Sequence, residues 1–227
     1  MREGIVLDYI ARHRKEIAHA ERYPDVRRRS VIELAERCNY VPEHAQRICR
    51  LSLALFDETR GIHGFTDRER EWLEYAALLH DIGVHISYEK HHKHSAYLIR
   101  NGDLRGFEPL EVDTIAQVAR YHRRAVPSRA HPEFNELPRK QRRVVRTLAA
   151  MLRLAESFDR SHSQVVTGLT VHDGDKEIRL VLQTTGDAEL EVWAASRHSE
   201  PLAHVLGKPL VVEAVEARHV EPHDTAE

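Results

Sequence analysis

Four residues with metal-binding side chains occur in the order His44, then His80 followed directly by Asp81, then Asp159. The His80-Asp81 pair ends an apolar run from Tyr75 that is typical of a buried helix. Neighbouring side chains on a helix point about 100° apart, so near a helix end both can reach one ion. A mixed imidazole and carboxylate set suits Mg²⁺, Mn²⁺, Zn²⁺ or Fe²⁺. We therefore predict a divalent metal site built from these four residues.

Two further histidines are candidates for a second ion. His94 lies in a histidine-rich segment that follows Asp81, and His122 ends a later helical segment. With Asp81 as the bridging ligand, these histidines would complete a two-metal centre. Binding of phosphate oxygens or capping of helix ends explains them equally well. The sequence therefore predicts one or two ions.

Such a centre would support hydrolysis of a phosphate ester or anhydride. Open coordination positions would hold water and a phosphate oxygen, and the metal would lower the pKa of that water. The candidate catalytic residues are His80, Asp81 and His122. Basic residues near the predicted ligands are candidates to donate hydrogen bonds to phosphate oxygens. Each of them taken alone is explained equally well as a solvated surface charge. They are Lys93, Arg123, Arg124, Arg160 and His162. Tyr88, Tyr97 and Tyr121 could stack a base, which core packing explains at least as well.

Composition narrows the class of partner. The 227 residues include 34 basic and 36 acidic side chains, so no global field favours nucleic acid or a membrane. The basic runs at 27–29 and 139–143 are interpreted as solvated helix faces. No apolar run approaches the roughly 18 residues of a membrane span, and no signal peptide is visible. The two cysteines lie in helical patterns, and we predict a cytoplasmic protein.

Helical periodicity dominates the chain up to about residue 163. A helical stripe begins over residues 5–10, and further helices are predicted around residues 93–99 and 110–122. Three helices would carry the predicted ligands. They run from Pro42 to about Thr59 with His44 near the start, from Thr66 into His80-Asp81, and from about Arg139 to Phe158 just before Asp159.

After residue 163 the apolar pattern changes to a period of two, which is typical of strands. Four strands are predicted near residues 169–171, 178–182, 190–194 and 209–215, with one helix over 201–206. We expect an α+β protein with a helical domain over 1–163 and a small domain over 164–220. The small domain would be a four-stranded antiparallel sheet with one helix, followed by a tail over 221–227.

These residues also resemble a known superfamily. The order His44, His80-Asp81, Asp159 looks like the HD superfamily of metal-dependent phosphohydrolases. Several longer segments closely resemble the C-terminal half of the exopolyphosphatase/guanosine-pentaphosphate phosphohydrolase (Ppx/GppA) family. They are residues 2–7, Ala76-Ala-Leu-Leu-His-Asp-Ile-Gly83, His91-His-Lys-His-Ser-Ala-Tyr-Leu-Ile99, residues 103–107, Ala119-Arg-Tyr-His-Arg123 and Leu154-Ala-Glu-Ser-Phe-Asp-Arg-Ser-His162.

The resemblance implies an HD-type helical domain, a small α+β domain and a metal-dependent phosphohydrolase that forms a homodimer. Its substrate would be a nucleotide, a guanosine polyphosphate or polyphosphate. Full-length members carry two actin-like domains in front, which this sequence does not show. The chain is thus a stand-alone relative or a separated half, and a separate actin-like exopolyphosphatase domain is a candidate partner. The alternative is a non-catalytic polyphosphate- or polyanion-binding and dimerisation module, against which the complete ligand set argues.

Overall fold

The computed structural model describes residues 22–216. The helical stripe predicted over residues 5–10, the resembling segment 2–7 and the tail predicted over 221–227 lie outside these residues. The described part is mainly helical and ends in a small sheet. Its elements, in chain order, are α1 (Val26–Arg37), α2 (Pro42–Glu58), α3 (Arg60–His63), α4 (Asp67–Leu79), the short 3-10 helix η1 (Ile82–His85), α5 (His91–Asn101), α6 (Pro109–Arg120), α7 (Pro132–Asn135), α8 (Arg139–Ser157), β1 (Val166–Asp173), β2 (Ile178–Thr184), α9 (Glu189–His198), α10 (Glu200–Leu206) and β3 (Leu210–Glu216).

The three helices predicted to carry metal ligands are confirmed as α2, α4 and α8. Pro42 occupies the first turn of α2, where its missing N–H leaves no bond unmade. α4 begins with a capping box. The Arg68 N–H donates to Thr66 Oγ1, and the Thr66 N–H donates to the Glu69 carboxylate at 2.9 Å. Pro42 thus marks the start of α2. The capping box fixes the start of α4, whose last residue comes directly before His80.

The helical core forms where α2, α4, α6 and α8 pack against one another, with α5 against α6 and η1. Leu55, Leu73, Ile115 and Leu148 from these four helices are fully buried. Burying a side chain of this size contributes about 2 kcal/mol each. The packing brings the starts of α2 and α5 beside the ends of α4, α6 and α8.

The α+β class is confirmed, whereas the sheet differs from the prediction in strand number and direction. It has three strands in the order β1-β2-β3, with β1 antiparallel and β3 parallel to β2. The segment predicted as a strand over 190–194 is helix α9, and α10 follows it, so two helices connect β2 to β3. Such a helical connection allows β3 to pair parallel to β2.

The strand prediction at 190–194 failed because three alternating apolar residues fit a short helix as well. In α9 the buried residues are Glu191, Ala194 and Ala195, whereas Leu190 is 46% exposed. Acidic residues fill the first turn of α9 and basic residues its last turn, which complements the helix dipole.

One continuous apolar core joins the helices to the sheet. α8 packs against α9 and α10, and α2 packs against β1. Leu154 and Phe158 share this core with Leu180 and Leu202. The division into two domains at residue 163 stays a prediction. No helix among residues 22–216 combines the length and apolarity that crossing a lipid bilayer requires.

Candidate metal centre

Five helix ends meet at one cluster of titratable side chains. His44 lies in the first turn of α2, His80 and Asp81 directly follow α4, and His91 is the first residue of α5. His122 lies two residues after α6. Glu156, in the last turn of α8, adds a carboxylate. The ligands thus sit on rigid helix ends that the core holds in place.

The first group of donor atoms surrounds Asp81 Oδ2. The Nε2 atom of His80 lies 3.7 Å from it, and that of His44 lies 3.9 Å from it. Glu156 Oε1 lies 2.6 Å from His80 Nε2 and 3.4 Å from His44 Nε2. The ligand atoms of His44, His80 and Asp81 all lie within 4.8 Å of one another, which is compact enough for one ion.

The second group surrounds the other oxygen of the same carboxylate. Asp81 Oδ1 lies 3.0 Å from His91 Nε2 and 3.6 Å from His122 Nε2. The two imidazole nitrogens are 3.4 Å apart. One carboxylate therefore lies between two groups of nitrogen donors, as a bridging ligand does in a two-metal site.

Backbone carbonyls determine which nitrogen of each histidine is free. Nδ1 of His80 lies 2.6 Å from the Ala77 carbonyl, and Nδ1 of His122 lies 2.7 Å from the Ala119 carbonyl. Nδ1 of His91 contacts the carbonyl of residue 88 at 3.0 Å. A carbonyl only accepts, so each Nδ1 carries a proton in these contacts, and Nε2 is the ring nitrogen that faces Asp81 and is left to bind a metal ion. Metal-binding histidines are oriented in this way.

The cluster contains buried polar atoms that the protein does not satisfy. His80 Nε2, Asp81 Oδ1 and Glu156 Oε1 have no hydrogen-bond partner. His80 Nε2 and Glu156 Oε1 are close, but they are not aligned for a hydrogen bond. Buried polar atoms are rarely left unpaired, because each costs free energy. Lone pairs of nitrogen and oxygen that face one another fit a divalent cation between them.

The pKa values show how strongly this cluster demands positive charge. Burial by itself lowers the pKa of His80, but the carboxylates of Asp81 and Glu156 outweigh it and raise that pKa to about 10. Burial raises the pKa of Asp81 and of Glu156, and in both cases neighbouring histidines led by His80 reverse this and lower it. Burial and the charge of His80 lower the pKa of His122 to about 3, so its imidazole stays neutral.

Asp159 lies beside the other ring nitrogen of His44, and its role as a metal ligand stays a prediction. Its Oδ1 lies 3.1 Å from Arg47 Nε, and its Oδ2 lies 3.6 Å from His44 Nδ1, the nitrogen remote from the Asp81 contact. Glu156, one helical turn earlier, is the carboxylate beside His80. Sequence reasoning missed Glu156, which lies in the last turn of α8, whereas Asp159 follows the end of that helix. Asp159, His44 and His162 form a third compact group.

His94 is not a member of any of the three compact groups found among residues 22–216. His91 is the histidine of that segment which reaches Asp81. Gly83 allows this approach, because a Cβ there would lie 2.1 Å from the His91 carbonyl oxygen. Ser95, which lies on α5 together with His91, holds α5 against this segment. Its hydroxyl donates to the His80 carbonyl and accepts from the Gly83 N–H.

The residues predicted to bind phosphate lie on two sides of the centre. Lys93, Arg123 and Arg124 line a cavity of about 620 Å³. Arg160 and His162 are exposed in the segment that follows Asp159. Tyr121 is buried in the core, whereas Tyr88 and Tyr97 are exposed.

The helical part and the start of the small sheet match a known family model. Domain III of the Ppx/GppA phosphatases matches residues 26–196. The matched range contains every residue of the three compact groups, from His44 to His162. The chain therefore belongs to the Ppx/GppA phosphatase family, through that domain.

Proposed function

We propose that this protein is a metal-dependent phosphohydrolase whose side chains would hold two divalent ions, with Asp81 belonging to both groups of ligands. One ion would be held by His44, His80, Asp81 and Glu156. The other would be held by Asp81 together with His91 and His122. The observation that carries the proposal is the orientation of three histidines, whose Nδ1 atoms contact backbone carbonyls while their Nε2 atoms face one carboxylate.

Bound divalent ions would supply a water of lowered pKa and neutralise charge on phosphorus. The chain's own residues have separate tasks. Asp81 faces both groups of donors, and the carboxylate of Asp159 lies 3.6 Å from the second nitrogen of His44, where its negative charge would favour a proton on that nitrogen. Arg123 lies 3.3 Å from His91 Nε2, where its guanidinium can donate to phosphoryl oxygens as negative charge develops.

The substrate class follows from the charges beside the centre. Among the residues that the structure describes, Lys93, Arg123 and Arg124 have no carboxylate partner. Unpaired cations next to a metal site favour a ligand that carries phosphate groups. We propose a phosphate ester or anhydride, with nucleotides, guanosine polyphosphates and polyphosphate as the classes to test.

The same cations support the alternative of a non-catalytic polyanion-binding module. Such a module does not require unpaired nitrogens and oxygens aimed at one another, which is why the enzyme is the stronger proposal. Homodimer formation, an actin-like partner domain and a cytoplasmic location stay predictions.

Asp81→Ala tests the proposed function, because both ions share this ligand. With Mn²⁺ or Zn²⁺ present, we expect hydrolysis of the best substrate to fall about a thousandfold or more. Asp113→Ala is the matched control, since that half-exposed carboxylate pairs with Arg100 on the surface. Circular dichroism should show the same helix content in both variants. Hydrolysis at the wild-type rate in Asp81→Ala would contradict the proposal.

A further inference from the structure

A pocket with basic and aromatic walls borders the second group of metal ligands. We call it the basic–aromatic pocket and define it by Tyr88, Lys90, His92, Lys93, Arg123 and Arg124. Its volume of about 620 Å³ is in the range of small-molecule sites. His91 connects the pocket to the centre, because it contacts the carbonyl of Tyr88 and the guanidinium of Arg123, two residues that line the pocket.

The charge of this pocket is strongly positive. Glu89, an acidic residue of the pocket lining, lies 3.3 Å from Lys90, and Arg120 at the pocket edge pairs with Glu133. Lys93, Arg123 and Arg124 have no acidic partner among residues 22–216. A pocket with three unpaired cations suits a multiply charged anion such as a phosphate chain.

Two of the cationic residues in this pocket have a backbone conformation that glycine adopts more readily. Lys90 has φ 58° and Arg124 has φ 63°, both in the left-handed region. A non-glycine residue there costs free energy that glycine would avoid. Such residues cluster at functional sites, which is a reason to ask what the two side chains bind.

The other wall can receive a flat ring. Tyr88 is 73% exposed, and the Arg123 guanidinium lies 5.9 Å from its ring centre. His92 is buried against the pocket, and its Nδ1 has no hydrogen-bond partner. An exposed aromatic ring beside cations is the combination with which proteins hold a base next to its phosphates. Inorganic polyphosphate would make no use of the aromatic ring.

We propose that the basic–aromatic pocket binds the nucleotide part of the substrate. The base lies against Tyr88, and the phosphates contact Lys93, Arg123 and Arg124. Only the position of the reacting phosphate at the metal centre rests on the proposed function. Binding of a nucleotide by the pocket requires no hydrolysis, so it can be measured on metal-free protein.

The test is titration calorimetry on the full chain after removal of metal with a chelator. ADP and tripolyphosphate are the probes, because they share a phosphate chain and differ in the ring. We expect Tyr88→Ala to weaken ADP binding about tenfold and to leave tripolyphosphate binding unchanged. Tyr97→Ala is the matched control, since Tyr97 is 62% exposed on α5 and does not line the pocket.

A second pair of variants tests the phosphate contacts. Lys93→Ala should weaken both probes, whereas Lys140→Ala, which removes an exposed cation outside the pocket, should weaken neither. Equal ADP affinity in wild type and Tyr88→Ala, or no ADP binding to the wild type, would overturn the inference. That result, combined with loss of hydrolysis in Asp81→Ala, would leave the proposed function standing. ADP binding that depends on Tyr88 without any metal-dependent hydrolysis would do the reverse.

A third variant separates binding from folding. Arg124→Gly should keep or raise Tm, because glycine suits the backbone at φ 63°, while ADP binding weakens several-fold. Asn39→Gly is the matched change at φ 50° outside the pocket, and it should leave ADP binding unchanged. Unchanged ADP binding in Arg124→Gly would contradict the proposed contact between Arg124 and the phosphates.

Discussion

Two clusters of charged side chains in this molecule are built in opposite ways. One is centred on Arg27 and joins α1, α4 and α6, and the other is centred on Asp81. In the Arg27 cluster, each donor meets an acceptor. In the Asp81 cluster, imidazole nitrogens and carboxylate oxygens lie close together, yet several of these buried atoms make no hydrogen bond. The contrast separates a charge cluster that holds the fold together from one that needs a ligand.

The Arg27 guanidinium is surrounded by acceptors. It donates to both oxygens of Glu71 at 2.8 and 3.1 Å, and to both oxygens of Glu111 at 3.0 and 3.1 Å. It also donates to the Gly106 carbonyl at 2.7 Å and lies 4.0 Å from the Phe107 ring centre. The Trp72 indole N–H donates to Glu111 as well. No polar atom of these residues is left buried and unpaired within the described chain.

The Asp81 cluster leaves several polar atoms unpaired, and His80 has to carry the positive charge that its carboxylates demand when no other cation is present. Selection for stability alone does not explain unpaired buried atoms, because apolar side chains of the same shape would be as stable or more stable. We infer that stability and ligand binding are separable in this protein, and substitutions in the two clusters should have opposite signatures.

The largest effect is expected within the Asp81 cluster itself, between two carboxylates one helical turn apart. Glu156→Gln should weaken metal binding about 100-fold, whereas Asp159→Asn should weaken it about tenfold, because Asp159 is outside both proposed ligand groups and lies beside His44. Metal titration monitored by calorimetry measures both. A larger loss of metal affinity in Asp159→Asn than in Glu156→Gln would indicate that Asp159, and not Glu156, is the ligand.

Arg27→Met should show the opposite signature. It leaves the buried Glu111 carboxylate without its main partner, so we expect a loss of about 3 kcal/mol in the free energy of unfolding. Metal content and hydrolysis should not change. Urea denaturation measures the first quantity, and a coupled loss of metal would show that the two clusters are not independent.

A smaller, pH-dependent effect is expected at Glu111. Burial by itself raises the pKa of this carboxyl, but hydrogen bonds from Arg27, the Glu108 N–H and Trp72 lower it from 4.5 to about 2. A lowered folded-state pKa contributes stability that is complete above pH 4.5 and disappears as the pH falls to 2. Glu111→Gln should therefore lower the free energy of unfolding by about 2 to 3 kcal/mol at pH 7, relative to the wild type at the same temperature.

The pH profile provides the control for that prediction. The stability difference between wild type and Glu111→Gln should shrink progressively between pH 4.5 and pH 2. Denaturation curves over this range measure it. A difference that stays constant with pH would mean that the Glu111 carboxylate is not held in its charged form by Arg27.

The sequence predicted the helices and most of the centre, because caps and apolar periodicity are local signals. His44, His80, Asp81 and His122 do come together. The choice between His91 and His94, or between Glu156 and Asp159, depends on the rotation of a helix about its axis, which tertiary packing decides. The direction of β3 was equally out of reach, because it depends on contacts between distant segments and on a short helix that alternates like a strand.

Elemental analysis of protein purified without chelator tests the central claim most directly. The samples are wild type, Arg27→Met and the double variant His80→Ala/Asp81→Ala. We predict about two divalent ions per chain in the wild type and in Arg27→Met, and none in the double variant. Wild-type protein that holds no ion even after soaking with Mn²⁺ or Zn²⁺, or equal metal content in all three samples, would contradict the account.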